Sequence, residues 1–559
     1  MKHSSRITIL LFVCGTLLLT GCANGSQLIV NLGKNPTAVV PATPTVIINP
    51  SLWVDPLLPA TVQEKIKNQS GFTLATRKDG VSLKLQLEPA AVSGENVIGQ
   101  IQWVYALVAP FPTVTDSLTV QELKDLWTGN VAADAPANQL MVSRETHAIF
   151  NALWGASADA TVTIVEEELL TKNDFKQPKV WAIVPFDQIT PRWKVIKVDG
   201  LSPLDKPLDT NAYALKANFV LSSSTADAAL QTIGKTILSA VPATDRDESK
   251  MTVVMMTGTT ALTRAIAYKM EIKGLDYPIE KVKDWFKDAD LIHVSNEVSF
   301  DPDCPYPDYQ QRGLRFCSSP KYIQTLKDLG VNVVELTGNH ENDYGSQYLD
   351  SSIDTYKQLG WYTFGGGKTP EEAQAPVKIE VNGNKIAFIG CNPNGPQSDW
   401  ANEKQAGSAK CDMAYYDQQI SDLKAQGYVV IATFQHEEVY TYLYGDFIAN
   451  DFRNAAKAGA DVVSGSQSHY GMGFQFVGNS LVHYGLGNFL FDMMTYEGVG
   501  DNIRREFFDK HIIYDGKYIN TELYTAWLVD WSQPTPMDDK QRTSFLTDVF
   551  NASIWSEKP

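Results

Sequence analysis

Val331-Asn-Val-Val-Glu-Leu-Thr-Gly-Asn-His-Glu-Asn-Asp-Tyr-Gly345 is the stretch from which the fold is read. Val331, Val333, Val334 and Leu336 form an apolar, β-branched run, the pattern of a buried strand. The run stops at Thr337-Gly338, and Asn339, His340, Glu341, Asn342 and Asp343 follow at once. In open α/β sheets ligands bind beyond the carboxyl ends of the strands, which is where this cluster falls. Asn offers a carbonyl oxygen, His an imidazole nitrogen and Asp a carboxylate, a mixed set suited to a hard or borderline divalent metal ion. Asn, Gly and Asp are also common turn residues, so this cluster alone does not separate a site from a turn.

Recurrence separates them. Met251–Met256 reads as a strand and leads into Gly258-Thr259; Asp290–Ser295 leads into Asn296-Glu297. Tyr428–Thr433 leads into Gln435-His436-Glu437-Glu438, and Asp461–Ser464 into Gly465-Ser-Gln467-Ser-His469. Ser480–Tyr484 runs into Gly485-Leu-Gly-Asn488, and Asn384–Gly390 supplies one more strand. His340, His436 and His469 each stand just past an apolar strand, which points to one shared site. His293 alternates within a strand and reads as a packed residue. His483 precedes a glycine-rich turn and is a weaker candidate for lining the site; His147 and His511 carry no motif.

With these residues in view, the block from Met251 to Asp492 resembles the bacterial capsule-synthesis (CapA, or poly-γ-glutamate synthesis) family of the calcineurin-like metallophosphatase fold. The resemblance lies in Gly258 after the first strand, Ser295-Asn-Glu297, Gly338-Asn-His with Asp343 and Gly345, and Phe364-Gly-Gly-Gly-Lys-Thr-Pro-Glu-Glu-Ala373. It continues through His436, Gly465 to His469, and Tyr484-Gly-Leu-Gly-Asn-Phe489. It implies a two-layered β-sandwich flanked by helices, with a dinuclear divalent-metal site at the strand ends. Glu297 and Asn339 would be oxygen ligands, His436 and His469 nitrogen ligands, and His340 the catalytic acid or charge stabiliser.

Three departures stand out. Thr259 replaces the family's aspartate, Gln467 replaces the first histidine of Gly-x-His-Pro-His, and Glu437-Glu438 replace the Trp-Gly after His436. They remove a carboxylate and an imidazole, so one metal position is expected to be weak or lost, with Glu437 or Glu438 as partial substitutes. Thr259, Glu437, Glu438, Gln467 and Asn488 are therefore expected to line the site. Two functions remain open: metal-assisted hydrolysis or transfer on an anionic polymer such as poly-γ-glutamate, and a catalytically degenerate binding or scaffold role.

The chain has 559 residues, more than one core usually holds. Its formal charge of −17 argues against nucleic acid or an anionic membrane surface as partner. Lys2, His3 and Arg6 precede the apolar run Ile7–Leu19, which has the layout of an export signal and is too short to span a membrane. Leu19-Thr-Gly-Cys22 resembles a bacterial lipobox. Cys22 would then carry lipid, and the protein would be extracytoplasmic and membrane-anchored, with an anionic extracellular polymer or envelope component as partner. Cys304, Cys317, Cys391 and Cys411 remain, an even number in an exported protein. Of three possible pairings, Cys304–Cys317 with Cys391–Cys411 is preferred because each closes a short stretch; no C-x-x-C spacing points to zinc.

The expected organisation is a signal over 1–21, a Pro/Thr-rich tether over 22–50, an α/β domain over 51–245 and the sandwich domain over 250–559. In the first α/β domain, Trp103–Pro110 reads as a strand and Ser117–Trp127 as a helix with a Thr119/Glu122 capping box, closed by Gly129. Val180–Val184 is a second strand and Thr225–Leu238 a second helix. This pattern faintly resembles the first lobe of periplasmic solute-binding proteins of the phosphate-binding kind. Residues 243–250 read as a charged linker, Tyr514–Lys517 as a hairpin turn, and the chain from Asp539 as a terminal helix.

Overall fold

The computed structural model describes residues 49–88, 96–171 and 175–555. The signal, the lipobox with Cys22 and nearly all of the tether lie outside the described residues. Among the described residues no helix is long and apolar enough to cross a membrane.

The site-bearing half is built on strand Met251–Thr260, whose residues are all buried. Strands Leu291–Asn296, Val333–Glu335 and Tyr362–Phe364 follow it in parallel, each beside the last. On its other side Arg505–Tyr514 runs antiparallel and continues into Lys517–Val529 and Gln533–Pro536. A second sheet orders Val377–Val381, Asn384–Cys391, Val429–Phe434, Val462–Gly465, Ser480–His483 and Phe474–Val477. Its four central strands are parallel. Parallel strands buried on both faces need continuous apolar runs, which the Val/Ile-rich sequences supply.

Strand alternation decides what each face meets. Val254, Met256, Leu291 and Val333 of the first sheet share one core with Ile386, Phe388, Val429, Ile431 and Val462 of the second. Met255, Ile292, Val294 and Val334 face outward onto helices Arg264–Lys273, Ile323–Leu329 and Ser346–Gln358. Val430, Ala432, Phe434 and Val463 face helices Met413–Ala425 and Asp446–Ala458. The result is a two-sheet sandwich with helices on both outer faces, as the resemblance implied.

The amino-terminal half is α/β around the long strand Val97–Pro110, paired antiparallel with Lys216–Ser223, Val180–Pro185 and Trp193–Val198. The helix expected from Ser117 starts later, at Val120, because Ser117–Leu118 pair as a short strand with Lys197 and Val198. Thr119 and Glu122 form the capping box, Gly129 ends the helix at φ 87°, and Leu123, Leu126 and Trp127 are its buried face.

The charged run 243–250 is docked, not free. Arg246 Nε donates to Pro203 O at 2.6 Å, Asp245 Oδ1 accepts from Val104 N at 2.8 Å, and Tyr514 Oη donates to Asp245 O at 2.8 Å. Buried charges of this kind need partners, and both halves of the chain supply them here. The hairpin turn at Asp515-Gly516 has φ of 49° and 80°, and the terminal helix runs Asp539–Ala552 behind an Asp538/Gln541 capping box.

Candidate functional site

The strand ends of both sheets meet where two glycines let backbones touch. A Cβ on Gly258 would stand 1.9 Å from Gly487 O, and one on Gly338 would stand 2.7 Å from Glu297 Cα. Only glycine permits either approach. Met251–Thr260 also continues further than its apolar sequence suggests, through Gly258-Thr259-Thr260, with a shift of register between Met256 and Thr259.

Glu297, Asn339, Gln467 and Thr259 are brought together here, and the residue that joins three of them is Gln435. Its Nε2 donates to Glu297 Oε1 at 2.7 Å and Asn339 Oδ1 at 3.3 Å, and it also contacts Gln467 Oε1. Gln435 Oε1 accepts from Ser466 Oγ at 2.7 Å, and Thr259 Oγ1 donates to Ser466 O at 2.8 Å. Glu297 is fully buried, and its Oε2 has no hydrogen-bond partner among the described residues.

His436, expected among the ligands, is placed elsewhere. Its Nε2 lies 3.0 Å from Asp451 Oδ2, and its Nδ1 accepts from Glu437 N at 3.0 Å. The ring packs against Phe447 and Phe452 of helix Asp446–Ala458. Val429 and Ile431 face the sandwich interior while Val430, Ala432 and Phe434 face the helices. Gln435 continues the first set and His436 the second, so a one-residue step turns the imidazole away. Period-two alternation in Val-Val-Ile-Ala-Thr-Phe-Gln-His was the signal that could have identified Gln435.

His469 adopts φ 54°. Its Nδ1 lies 2.7 Å from Asn488 Oδ1, and its ring stacks on Phe491 at 4.8 Å. Glu438 Oε1 is 3.9 Å from His469 Nε2, whereas Glu437 meets His436 through its backbone. His340 Nδ1 lies 2.8 Å from Asp343 Oδ2, which also accepts from Phe316 N at 2.7 Å. Burial opposes charge on the His340 ring, but the Asp343 bond and the Glu297 carboxylate outweigh it and raise its pKa. Arg264, absent from the sequence expectations, is buried between Phe316 and Phe491, 4.7 Å from each ring, and is ion-paired with Asp492 at 3.4 Å.

The two other histidine–carboxylate pairs belong to the sandwich core. His293 Nε2 is 3.0 Å from Glu335 Oε2, in line with the packed reading, and His483 Nδ1 is 2.6 Å from Asp509 Oδ2. His483 stacks on Phe474 at 3.9 Å, inside the sheets and away from the strand-end network. Both predicted cystine pairs are formed: Cys304–Cys317 and Cys391–Cys411 have Cα separations of 5.8 and 5.2 Å.

The donor set does not fit a resident metal pair. Among the described residues no group of three His, Cys, Asp or Glu side chains is arranged to hold an ion. An amide N–H donor stands at the point where the oxygens of Glu297, Asn339 and Gln467 converge. A cation and an N–H donor compete for the same lone pairs, and here the donor is covalently part of the site.

Residues 253–493 match the family described as "Bacterial capsule synthesis protein PGA_cap". Capsule biosynthesis protein CapA of Bacillus anthracis is 24% identical over 262 residues, 45% of this chain and 62% of that protein. PGA biosynthesis protein CapA of Bacillus subtilis (strain 168) is 23% identical over 238 residues, 42% of this chain and 62% of that protein. The aligned region thus spans 62% of the length of each of these relatives. Among solved structures, an ABC-type phosphate transport receptor from Vibrio cholerae is similar over 34% of this chain and 93% of its own, at 11% identity. The TM-score of that match is 0.27.

Proposed function

With residues 253–493 a domain of the bacterial capsule synthesis family, we propose that this protein is a binding or scaffold component of capsule synthesis. On this reading it is lipid-anchored and extracytoplasmic, and it holds an anionic polymer such as poly-γ-glutamate, or another envelope component, without metal-assisted turnover. The observation that carries the reading is the Gln435 amide nitrogen, which stands among Glu297 Oε1, Asn339 Oδ1 and Gln467 Oε1. These three oxygens face an N–H donor where a metal ion that activates water or clamps a phosphoryl group would have to sit, which leaves Glu297 Oε2, among the described residues, as the one unpartnered oxygen of that carboxylate.

A chain of charge −17 repels an anionic polymer at long range, so attraction has to be local. Arg315 would supply it, with its Nη2 donating to the backbone oxygen of Asp343 at 2.6 Å while the Asp343 carboxylate is taken up by His340.

Elemental analysis of the purified, dialysed protein tests the site. Well under one divalent ion per chain is expected, and two ions per chain would overturn the scaffold reading. The triple substitution Thr259→Asp, Gln435→His and Gln467→His should then gain an ion, because it introduces a carboxylate and two imidazoles at strand ends already in place. Co-sedimentation with poly-γ-glutamate tests the partner; no binding by the wild type, or binding that His340→Ala and Arg315→Ala leave unchanged, removes the polymer from the proposal.

A further inference from the structure

A cavity lies in the amino-terminal half, remote in sequence from the strand-end network. It has a volume of about 290 Å³ and is lined by Trp103, Tyr105, Glu145, Glu167, Asp187 and Gln188, among others. That size is at the small end of cavities that take small molecules. Trp103 and Tyr105 are two apart on strand Val97–Pro110 and so share a face. Glu145 and Glu167 open helices Arg144–Trp154 and Glu167–Leu170, and Asp187 sits in the turn Phe186–Gln188 after strand Val180–Pro185.

Three features distinguish this from an ordinary acidic surface. No Lys or Arg lines the cavity, and among the described residues none of the three carboxylates has an ion-pair partner. Trp103 and Tyr105 are 6% and 2% exposed, yet the indole N–H and the phenol hydroxyl have no hydrogen-bond partner among the described residues. Neither atom is sealed away from solvent-sized space, so both open on the cavity they line.

Acidic side chains at helix starts are often no more than partners of the helix dipole. That accounts for Glu145 and Glu167, but for neither Asp187 nor the unpartnered Tyr105 hydroxyl. The same carboxylates occupy the helix starts that would otherwise favour an anion. Burial raises the pKa of Asp187 against the pull of its own backbone N–H and of Lys517, with Glu167 adding to the rise; the Tyr105 phenol is raised by burial and then by Asp245, Glu145 and Asp187. The negative groups therefore act on one small volume.

We propose that this cavity binds a small organic ammonium ion, with the ammonium held by Glu145, Glu167 and Asp187 and its carbon body against Trp103 and Tyr105. Carboxylates supply the charge, the phenol oxygen accepts an ammonium N–H, and aromatic faces attract the cation. The aromatic lining favours an organic cation over a metal ion, which would use oxygen ligands alone.

Calorimetric titration of the full chain with cadaverine tests the proposal, with tetramethylammonium, Ca²⁺ and inorganic phosphate titrated in parallel and tryptophan fluorescence as a second readout. Cadaverine is expected to bind, and Glu145→Gln and Asp187→Asn are each expected to weaken it by about tenfold. Tyr105→Phe preserves shape and should weaken cadaverine more than tetramethylammonium, which has no N–H to donate. The wild-type titrations stand even if a variant fails to fold. No binding of either ammonium probe, binding of Ca²⁺ or phosphate in their place, or unchanged affinity in a folded Glu145→Gln/Asp187→Asn variant would each overturn it.

Discussion

Gln435 and His436 leave the strand Val429–Phe434 in opposite directions. The Gln435 amide nitrogen is 2.7 Å from Glu297 Oε1, while His436 Nε2 is 3.0 Å from Asp451 Oδ2 behind the sheet. One peptide unit thus separates the residue that builds the strand-end network from a residue that anchors a helix. Glu297 depends on this arrangement, because Gln435 supplies the side-chain donor to its fully buried carboxylate.

Gln435→Ala should therefore destabilise the fold by about 1–3 kcal/mol, the penalty of leaving a buried acceptor unmet. Gln435→Glu should be worse, since it sets a second carboxylate against Glu297. Urea unfolding of the three proteins at neutral pH is the measurement. The same stability for Gln435→Ala and wild type would mean that solvent reaches Glu297.

Asp245 makes stability depend on pH. Burial, with a further contribution from Asp187, pushes its carboxyl from 3.8 up to about 8, against the opposing Val104 N–H bond. A folded pKa above the unfolded value means that the contribution is fully present below about pH 4 and is lost as pH rises through 8. Asp245→Asn keeps an acceptor for Val104 without the charge. It should be more stable than wild type by about 1–3 kcal/mol at pH 9, with the gain shrinking toward zero near pH 4. Thermal melts across that range read the effect.

The two cystines close sequence separations of 13 and 20 residues. Loop entropy gives each about 3 kcal/mol. The protein should show no reactive thiol at these four cysteines under denaturing, non-reducing conditions. Cys391→Ser with Cys411→Ser should also loosen the strand-end network, because Gln435 N donates to Cys391 O at 3.1 Å.

Leu19-Thr-Gly-Cys22 leads to a localisation experiment. Cys22→Ser should move the exported protein from the membrane pellet to the soluble fraction, as follows when a lipid chain is the anchor. Retention of the variant in the pellet would rule the lipid anchor out.

Much of this molecule is legible in the chain alone. Apolar β-branched runs marked the strands, and the capping box at Thr119/Glu122 and the Asp515-Gly516 turn marked element ends, because these are decided by residues a few positions apart. The even cysteine count and short spacings led to the right pairs for the same local reason. The strand-end placement of Glu297, Asn339, Thr259 and Gln467 was legible too, since exits of parallel strands gather on one edge.

What tertiary structure alone decided is which way the side chains go and what they meet there. His436 carried the expected residue type, but alternation along its strand put Gln435 toward Glu297 and turned the imidazole to Asp451. His483 had the sequence context of a site residue and is instead paired with Asp509 in the core. Residues 243–250 had the charge pattern of a linker, yet Arg246 and Asp245 are held by Pro203, Val104 and Tyr514. Composition marks where charge is, but only packing across distant segments decides whether that charge is solvated, paired or buried.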